Sequence, residues 1–368
     1  MKKFFIIAGE PSGDLHASNL VKSLKAKDSS INFQGWGGDR MQSAGVVIKN
    51  HLNNLSFMGF LEVILNLKQI IRNFYLCKKQ LLAYNPDVII MVDYPGFNLR
   101  MSKWAKKNGF TVVYYVSPQI WAWKASRIKT IKANVDRMYC ILPFEKEFYA
   151  KQGFNAHYMG HPLMDEISWF KTKQGPLKFK KGTPLLTILP GSRDQEIKRK
   201  LPIMLKAAIK YKEMDIYVAA APNLDIDFFK SYQKDFPNVN FVFGQTYDLL
   251  QESEIAIVTS GTATLETALF RVPQVVCYKS SFISYSIARL LVKIKYISLV
   301  NLIMDREIVK ELIQKKCTVA HIQEEIDLML YQDNYRENML GAYDDLIRKL
   351  GKDGCSEKIA QDLIKQYI

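Results

Sequence analysis

Three stretches of the sequence put small residues where an apolar run turns into a helix: AGEPSGD (8–14), LPGSRDQE (189–196) and TSGTATLE (259–266). A Gly/Ser turn at a strand's carboxyl end lets backbone N–H groups and a helix N-terminus face one point, which suits a phosphate or another anion. Small residues at such junctions also serve simply as tight corners. Neither a dinucleotide fingerprint nor a Walker-type phosphate loop is present. The residues these turns offer to a ligand are Gly9, Glu10, Ser12, Gly13 and Asp14 in the first, Gly191, Ser192 and Arg193 in the second, and Ser260, Gly261 and Thr262 in the third.

Charged neighbours sharpen two of these places and add a fourth. Asp93 ends the apolar run DVIIMVDYPGFN, at the mouth of a strand, where a doubly wound sheet binds its ligands. A carboxylate there could take a proton from a substrate hydroxyl, or it could cap the helix that follows Pro95 and Gly96. Arg193 stands where a helix should begin, a poor place for a cation unless an anion shares it, and its guanidinium would suit a diphosphate. Glu266 could accept hydrogen bonds from ribose hydroxyls or answer its helix's N-terminus.

Metal and triad chemistry find little support. The five histidines are scattered, and His16 and His161 adjoin turns without a partner in sequence. Asp225 and Asp227 form a DxD, but in PNLDIDFFKSY they read more naturally as a helix start. No metal and no cofactor are expected. Cys77, Cys140, Cys277, Cys317 and Cys355 show no paired spacing, so buried free thiols are expected rather than disulfides or a zinc site.

The elements that must position these residues follow from periodicity. Short apolar runs alternate with helical stretches, the pattern of βα units around parallel sheets. Strands are expected at 4–8, 33–36, 88–92, 111–116 and 138–142, then at 185–189, 216–220, 240–243, 255–258 and 274–277. The unpatterned Lys171–Gly182 stretch, KTKQGPLKFKKG, reads as a linker between two α/β halves. That gives domains over 1–170 and 171–345, with a final helix over 346–368 whose packing the pattern leaves open. Ligand turns in both halves suggest a cleft lined from each. With 368 residues, 48% hydrophobic and 24% charged, the chain has the composition of a globular protein and not of a disordered or fibrous one.

The formal charge of +15 points to an anionic partner. Residues 100–137 concentrate it, with nine Lys or Arg against Asp136 alone, interleaved with Trp104, Trp121, Trp123, Tyr114 and Tyr115. Such a face could stack nucleic acid, anchor at a lipid interface or merely be solvated. The apolar Leu55–Phe60 segment favours lipid. The N-terminal apolar run stops at Gly9, too short for a signal peptide. The run Leu55–Tyr75 carries Glu62, Lys68 and Arg72, so it falls short of a membrane span.

Taken together, AGEPSGD, GGDRM (37–41), FMGFLEV (57–63), DYPGFN (93–98), SPQIWAW (117–123), LPFE (142–145), GHP (160–162), LPGSR (189–193), SGTATLE (260–266) and SLVNLI (298–303) resemble the lipid-A-disaccharide synthase family in order and spacing. The resemblance implies an α/β GT-B fold, two Rossmann-like domains with parallel sheets facing across a cleft. It implies an inverting transfer of 2,3-diacylglucosamine from UDP-2,3-diacylglucosamine to the 6-hydroxyl of 2,3-diacylglucosamine 1-phosphate, releasing UDP. Asp93 matches the family's proposed catalytic carboxylate, Arg193 its GSR arginine, Glu266 the acid of the SGTATLE helix and Asn301 the asparagine of NLI. Phe57, Met58, Phe60, Trp121 and Trp123 would face acyl chains or membrane. The implied partners are the two lipid substrates and an anionic inner-membrane surface, with no nucleic acid and with a homodimer allowed for. The implied place is cytoplasmic, held peripherally at that membrane. Asp39 in GGDRM departs from a neutral residue, and the last fifty residues match weakly.

Two other readings have discriminating features. A different UDP-sugar enzyme, an N-acetylglucosamine epimerase or the peptidoglycan glucosaminyltransferase, would have no use for SPQIWAW beside an apolar surface segment. A basic RNA-binding protein would account for the charge, but no RNA-binding module is recognisable.

Overall fold

The computed structural model describes residues 2–55, 67–173, 175, 177–179, 182–221, 224–281, 285 and 294–368. Phe57, Met58 and Phe60, and most of FMGFLEV, lie outside the described residues. The chain divides into two units, Met1–Asp165 with Lys352–Ile368, and Glu166–Gly351.

The first unit is built on a parallel seven-stranded sheet: β1 (Lys3–Ala8), β2 (Asn32–Gly37), β3 (Val47–His51), β4 (Val88–Val92), β5 (Thr111–Tyr115), β6 (Arg137–Cys140) and β7 (Ala156–Tyr158), in the spatial order 3-2-1-4-5-6-7. Helices cover both faces, which is why β1 and β4 read as unbroken apolar runs: all residues of FIIA and VIIMV are buried. One face packs on the helix Pro11–Lys27 through Leu20, Val21 and Leu24, and the other on Met101, Ala105 and Cys77.

The helix Cys355–Tyr367 belongs to this first unit. It lies along Pro11–Lys27 and buries Ile359, Ala360 and Leu363 there. Asp165 fixes its start, accepting from the backbone N–H groups of Gly354, Cys355 and Ser356 at 2.7, 2.9 and 2.8 Å, three of the orphan donors of a helix N-terminus. Asp362 anchors it further by receiving the Arg137 guanidinium at 2.6 Å.

The second unit carries β8 (Leu185–Leu189), β9 (Asp215–Ala220), β10 (Val239–Phe243), β11 (Ile255–Thr259), β12 (Gln274–Tyr278) and β13 (Lys310–Ile313), all parallel, in the order 10-9-8-11-12-13. Both sheets reverse their winding beside the first strand of the unit, between β1 and β4 and between β8 and β11. In doubly wound sheets these switch points hold the ligand crevice. Ten of the thirteen strands among the described residues were expected from periodicity; β3, β7 and β13 were not. The five cysteines are buried and free.

Candidate active site

At the first switch point the chain leaves β1 through Gly9 and Glu10 and leaves β4 through Asp93 and Tyr94. A Cβ on Gly9 would stand 2.4 Å from Cδ1 of the Tyr94 ring, so only glycine lets the two loops approach this closely. Asp93 and Tyr94 are both left-handed, at φ of 46° and 49°. Consecutive non-glycine residues in that region cost about 1–3 kcal/mol each and persist where surrounding contacts impose them. Here those contacts are explicit. Asp93 N–H donates to the Tyr115 carbonyl at 2.9 Å, and the Asp93 carbonyl accepts from Tyr114 Oη at 2.6 Å and Asn98 Nδ2 at 2.8 Å.

The helix Pro95–Lys107 starts from Tyr94 with no side-chain cap. Burial, and after it the charge of Glu10, raises the Asp93 carboxyl to about 7, with Glu145 adding to the rise and the Tyr94 N–H opposing it. A carboxyl poised there exchanges a proton readily at neutral pH. Tyr94 stacks on Phe97 at 5.6 Å between ring centroids, and Phe97 on Phe74 at 4.3 Å, so a run of stacked rings holds the turn from the Tyr94 side.

Other residues of the first turn are placed differently. Ser12 is exposed, whereas Gly13 is buried against Ala8 and Val92. Asp14 is 3% exposed and its oxygens accept from the N–H groups of Gly38 (2.7 Å), Arg40 (3.1 Å) and Met41 (3.2 Å). Its carboxylate is thereby engaged in holding the GGDRM turn.

Trp121 and Trp123 also separate. Trp121 is half-buried and donates Nε1–H to Glu145 Oε1 at 2.9 Å, while Trp123 is exposed. Glu145, which the sequence reading passed over inside LPFE, is fully buried. It also accepts from the N–H groups of Ile141 (3.2 Å) and Leu142 (2.9 Å), and burial raises it to about 7. A Glu at the third position of a helix that begins with Pro143 is the sequence signal that could have found it.

At the second switch point Gly191, Ser192, Arg193, Ser260, Thr262 and Glu266 line a cavity of about 360 Å³. Gly191 turns at φ 107°, and a Cβ there would press on Thr259 at 3.2 Å. Arg193 is the N-cap residue of the helix Asp194–Ala208, and its guanidinium reaches Glu196 Oε1 at 3.2 Å across an exposed pair. Ser260 Oγ donates to the Ile297 carbonyl at 2.9 Å. Glu266 accepts from Tyr247 Oη at 2.9 Å, and burial raises its carboxyl.

Beneath this turn lies a residue that sequence reasoning missed. Lys200 has a side chain 2% exposed, donates to Thr259 Oγ1 and stands 3.6 Å from Glu196 Oε2. Burial lowers its ammonium. In IKRKLP it is indistinguishable from its solvated neighbours, so no sequence signal marked it.

Asn301 is engaged within its own segment. It is fully buried; its Nδ2 donates to the Val309 carbonyl (2.8 Å) and Glu311 (2.9 Å), and its Oδ1 accepts from Ile308 (2.7 Å) and Val309 (3.0 Å). With its side-chain donors and acceptor engaged inside 298–311, it braces that segment. Asp225 caps the helix Ile226–Asp235, and Asp227 pairs with Lys230 at 2.6 Å.

Comparisons with known proteins bear on these sites. Residues 4–363 match the family described as lipid-A-disaccharide synthetase. Lipid-A-disaccharide synthase of Syntrophus aciditrophicus is 38% identical over 98% of this chain and 96% of its own length. The Myxococcus xanthus enzyme is 36% identical over 99% and 97%. Among solved structures, a UDP-GlcNAc 2-epimerase from Neisseria meningitidis aligns with a TM-score of 0.69 at 15% identity, covering 99% of this chain and 100% of that one. The glycotransferase of kitacinnamycin gives 0.68 at 12%, covering 100% and 99%. These two share the GT-B fold of paired Rossmann-like units. The epimerase reading is thus a matter of fold, whereas sequence identity over the whole length decides the family: the chain belongs to the lipid-A-disaccharide synthetases, glycosyltransferases of lipid A biosynthesis.

Proposed function

We propose that the protein transfers 2,3-diacylglucosamine from UDP-2,3-diacylglucosamine to the 6-hydroxyl of 2,3-diacylglucosamine 1-phosphate, with inversion. The acceptor binds the first unit and UDP the second. The acceptor's 6-oxygen attacks the donor's anomeric carbon and forms the β-1,6 bond. Its proton passes to the Asp93 carboxylate, and the bond from that carbon to the diphosphate oxygen breaks with its electron pair leaving on UDP. Arg193, the N–H groups of the Gly191–Arg193 turn and those at Ser260–Thr262 supply the donors that stabilise the developing charge. Glu266 takes the ribose hydroxyls.

The observation that carries this reading is Asp93, held in a strained turn at the first switch point with a carboxyl near neutrality. Incubating the purified protein with both lipids should yield UDP and a disaccharide 1-phosphate by mass spectrometry, and Asp93→Asn should not.

The same reading places the enzyme peripherally on the cytoplasmic side of the inner membrane. Among the described residues no helix is long and apolar enough to cross a membrane. Attachment would come from unpaired cations of residues 100–137, such as Lys103, Lys107, Lys129 and Lys132, together with Phe57, Met58 and Phe60, which lie outside the described residues. Flotation with anionic vesicles across a salt series tests it.

A further inference from the structure

The basic stretch from Arg100 to Arg137 resolves into two kinds of cation. Lys106 pairs with Asp136 and Arg137 with Asp362, so these charges are spent inside the fold. Among the described residues, none of the other seven has a carboxylate within ion-pair distance, and of these Arg100, Lys124 and Arg127 stand apart because they act on one another. They are nonetheless held together. Lys124 Nζ stands 4.3 Å and Arg127 Cζ 5.2 Å from the centre of the same Trp123 ring, which fixes both cations by their attraction to its π face. Arg100, on the helix that follows Asp93, acts electrostatically on both. Lys124 adopts a left-handed backbone, φ 56°, to take this position.

Like charges gathered without a counter-ion cost stability, and burial together with the neighbouring cations lowers Lys124 and Arg127 accordingly. Arg100 also ties the cluster to the reacting carboxyl, for it stands on the helix Pro95–Lys107, which begins two residues after Asp93. Arg127 is in electrostatic reach of the Tyr114 hydroxyl, and that hydroxyl donates to the Asp93 carbonyl. In a hexopyranose 1-phosphate the carbons that carry the phosphate and the 6-hydroxymethyl arm flank the ring oxygen. An acceptor with its hydroxyl at Asp93 therefore presents a phosphomonoester dianion about one sugar ring away.

We propose that Arg100, Lys124 and Arg127, organised around Trp123, bind the anomeric phosphate of the acceptor and so set its register against Asp93. The guanidiniums grip the phosphate oxygens in pairs, and Lys124 adds a point charge. The inference rests on the substrate reading above and concerns the acceptor alone, not the donor.

Two measurements test it and keep the two readings apart. In the first, the intrinsic fluorescence of the wild type, of Trp123→Phe and of the Lys124→Gln/Arg127→Gln pair is titrated with glucosamine 1-phosphate and with glucosamine, with the exposed Lys107→Gln/Lys132→Gln pair as a charge-matched control. Saturable quenching by the phosphate ester alone is expected, lost in Trp123→Phe, weakened by ~10-fold or more in the pair and unchanged in the control.

In the second, turnover is measured in neutral detergent with the phosphorylated acceptor and with the same lipid lacking the phosphate. The pair should raise KM for the phosphorylated acceptor roughly 10- to 100-fold, leave KM for the donor unchanged and close the gap between the two acceptors. Binding of the phosphate ester through the cluster, without disaccharide formation by the wild type, would uphold the phosphate site and refute the substrate reading. An unchanged acceptor KM, an equal loss on both acceptors, or an effect confined to flotation on anionic vesicles would overturn the phosphate site and leave that reading standing.

Discussion

Replacing Glu10 by Gln should move the acid limb of the pH–rate profile without touching the reacting carboxyl. Asp93 stands near 7 against an ordinary 3.8, a difference of about 3 pH units or roughly 4 kcal/mol between its two protonation states. Burial supplies the largest share and Glu10 the next. Glu10 is thus the largest contribution that replacing one neighbouring charge can remove, on the order of 1 pH unit or roughly 1.4 kcal/mol. Because the base works only when ionised, wild-type kcat/KM should rise with pH and reach half its plateau near 7.

In Glu10→Gln the midpoint should fall to between about 5.5 and 6.5, while the weaker base lowers the plateau a few-fold. The two profiles should then cross, the variant being the faster below about pH 6 and the slower above pH 7.5. UDP release measured at saturating donor from pH 5 to 9 reads this directly. A midpoint unmoved from 7 would refute Glu10 as the group that tunes Asp93. A loss of equal size at every pH would assign Glu10 to substrate binding instead.

Asp93→Asn should lower turnover by roughly 10²- to 10⁴-fold with the fold intact. It should also steepen the loss of stability on acidification. Between pH 4 and 7 the folded Asp93 holds a proton that the unfolded one has lost, so it adds stability as pH falls, while His16 and His161, held neutral by burial at about 4 and about 3, subtract it. Removing the former leaves the latter less opposed, by up to about 1.4 kcal/mol per pH unit in urea titrations between pH 7 and 5. Arg193→Ala should weaken UDP binding by about 1.5–3 kcal/mol in calorimetry, and unchanged affinity would exclude its diphosphate role. Lys200→Ala should lower the unfolding free energy by about 2–4 kcal/mol while Lys200→Met retains most of it; equal losses would show that the ammonium, not the packed stem, holds the Gly191 turn.

What the sequence made legible follows the strength of burial. Strands covered on both faces, such as β1, β4, β8 and β11, are unbroken apolar runs and were read almost to the residue. The edge strand β3 (VIKNH), the three residues of β7 and the edge strand β13 (KELI) are short or half solvated, so no alternation or apolar run marked them. At the site, residue type at a strand mouth was enough to find Asp93 and the Gly191 turn. It could not show that the Asp14 carboxylate is engaged by backbone donors, or that the Asn301 amide braces a loop. Those engagements depend on chain segments 24 residues away for the Gly38–Asp14 bond and 7 or 8 for the Asn301 bonds to Ile308 and Val309, and on their turn geometry. Buried Lys200 and Glu145 were hidden for the same reason, since a charged letter carries no mark of its burial.

The place of the helix Cys355–Tyr367 has a consequence for biosynthesis. The first unit's residues up to Asp165 emerge from the ribosome roughly 190 residues before the helix that covers Leu20, Val21 and Leu24. At about 5–20 residues per second this leaves an apolar helix face uncovered for some 10–40 s, while the whole second unit is being made. During that interval the nascent first unit presents a ready surface for chaperone capture, and Asp165 waits without the three N–H groups it will cap. Ribosome profiling of holdase occupancy should show engagement that begins once the first sheet is complete and ends only after Leu363 clears the exit tunnel.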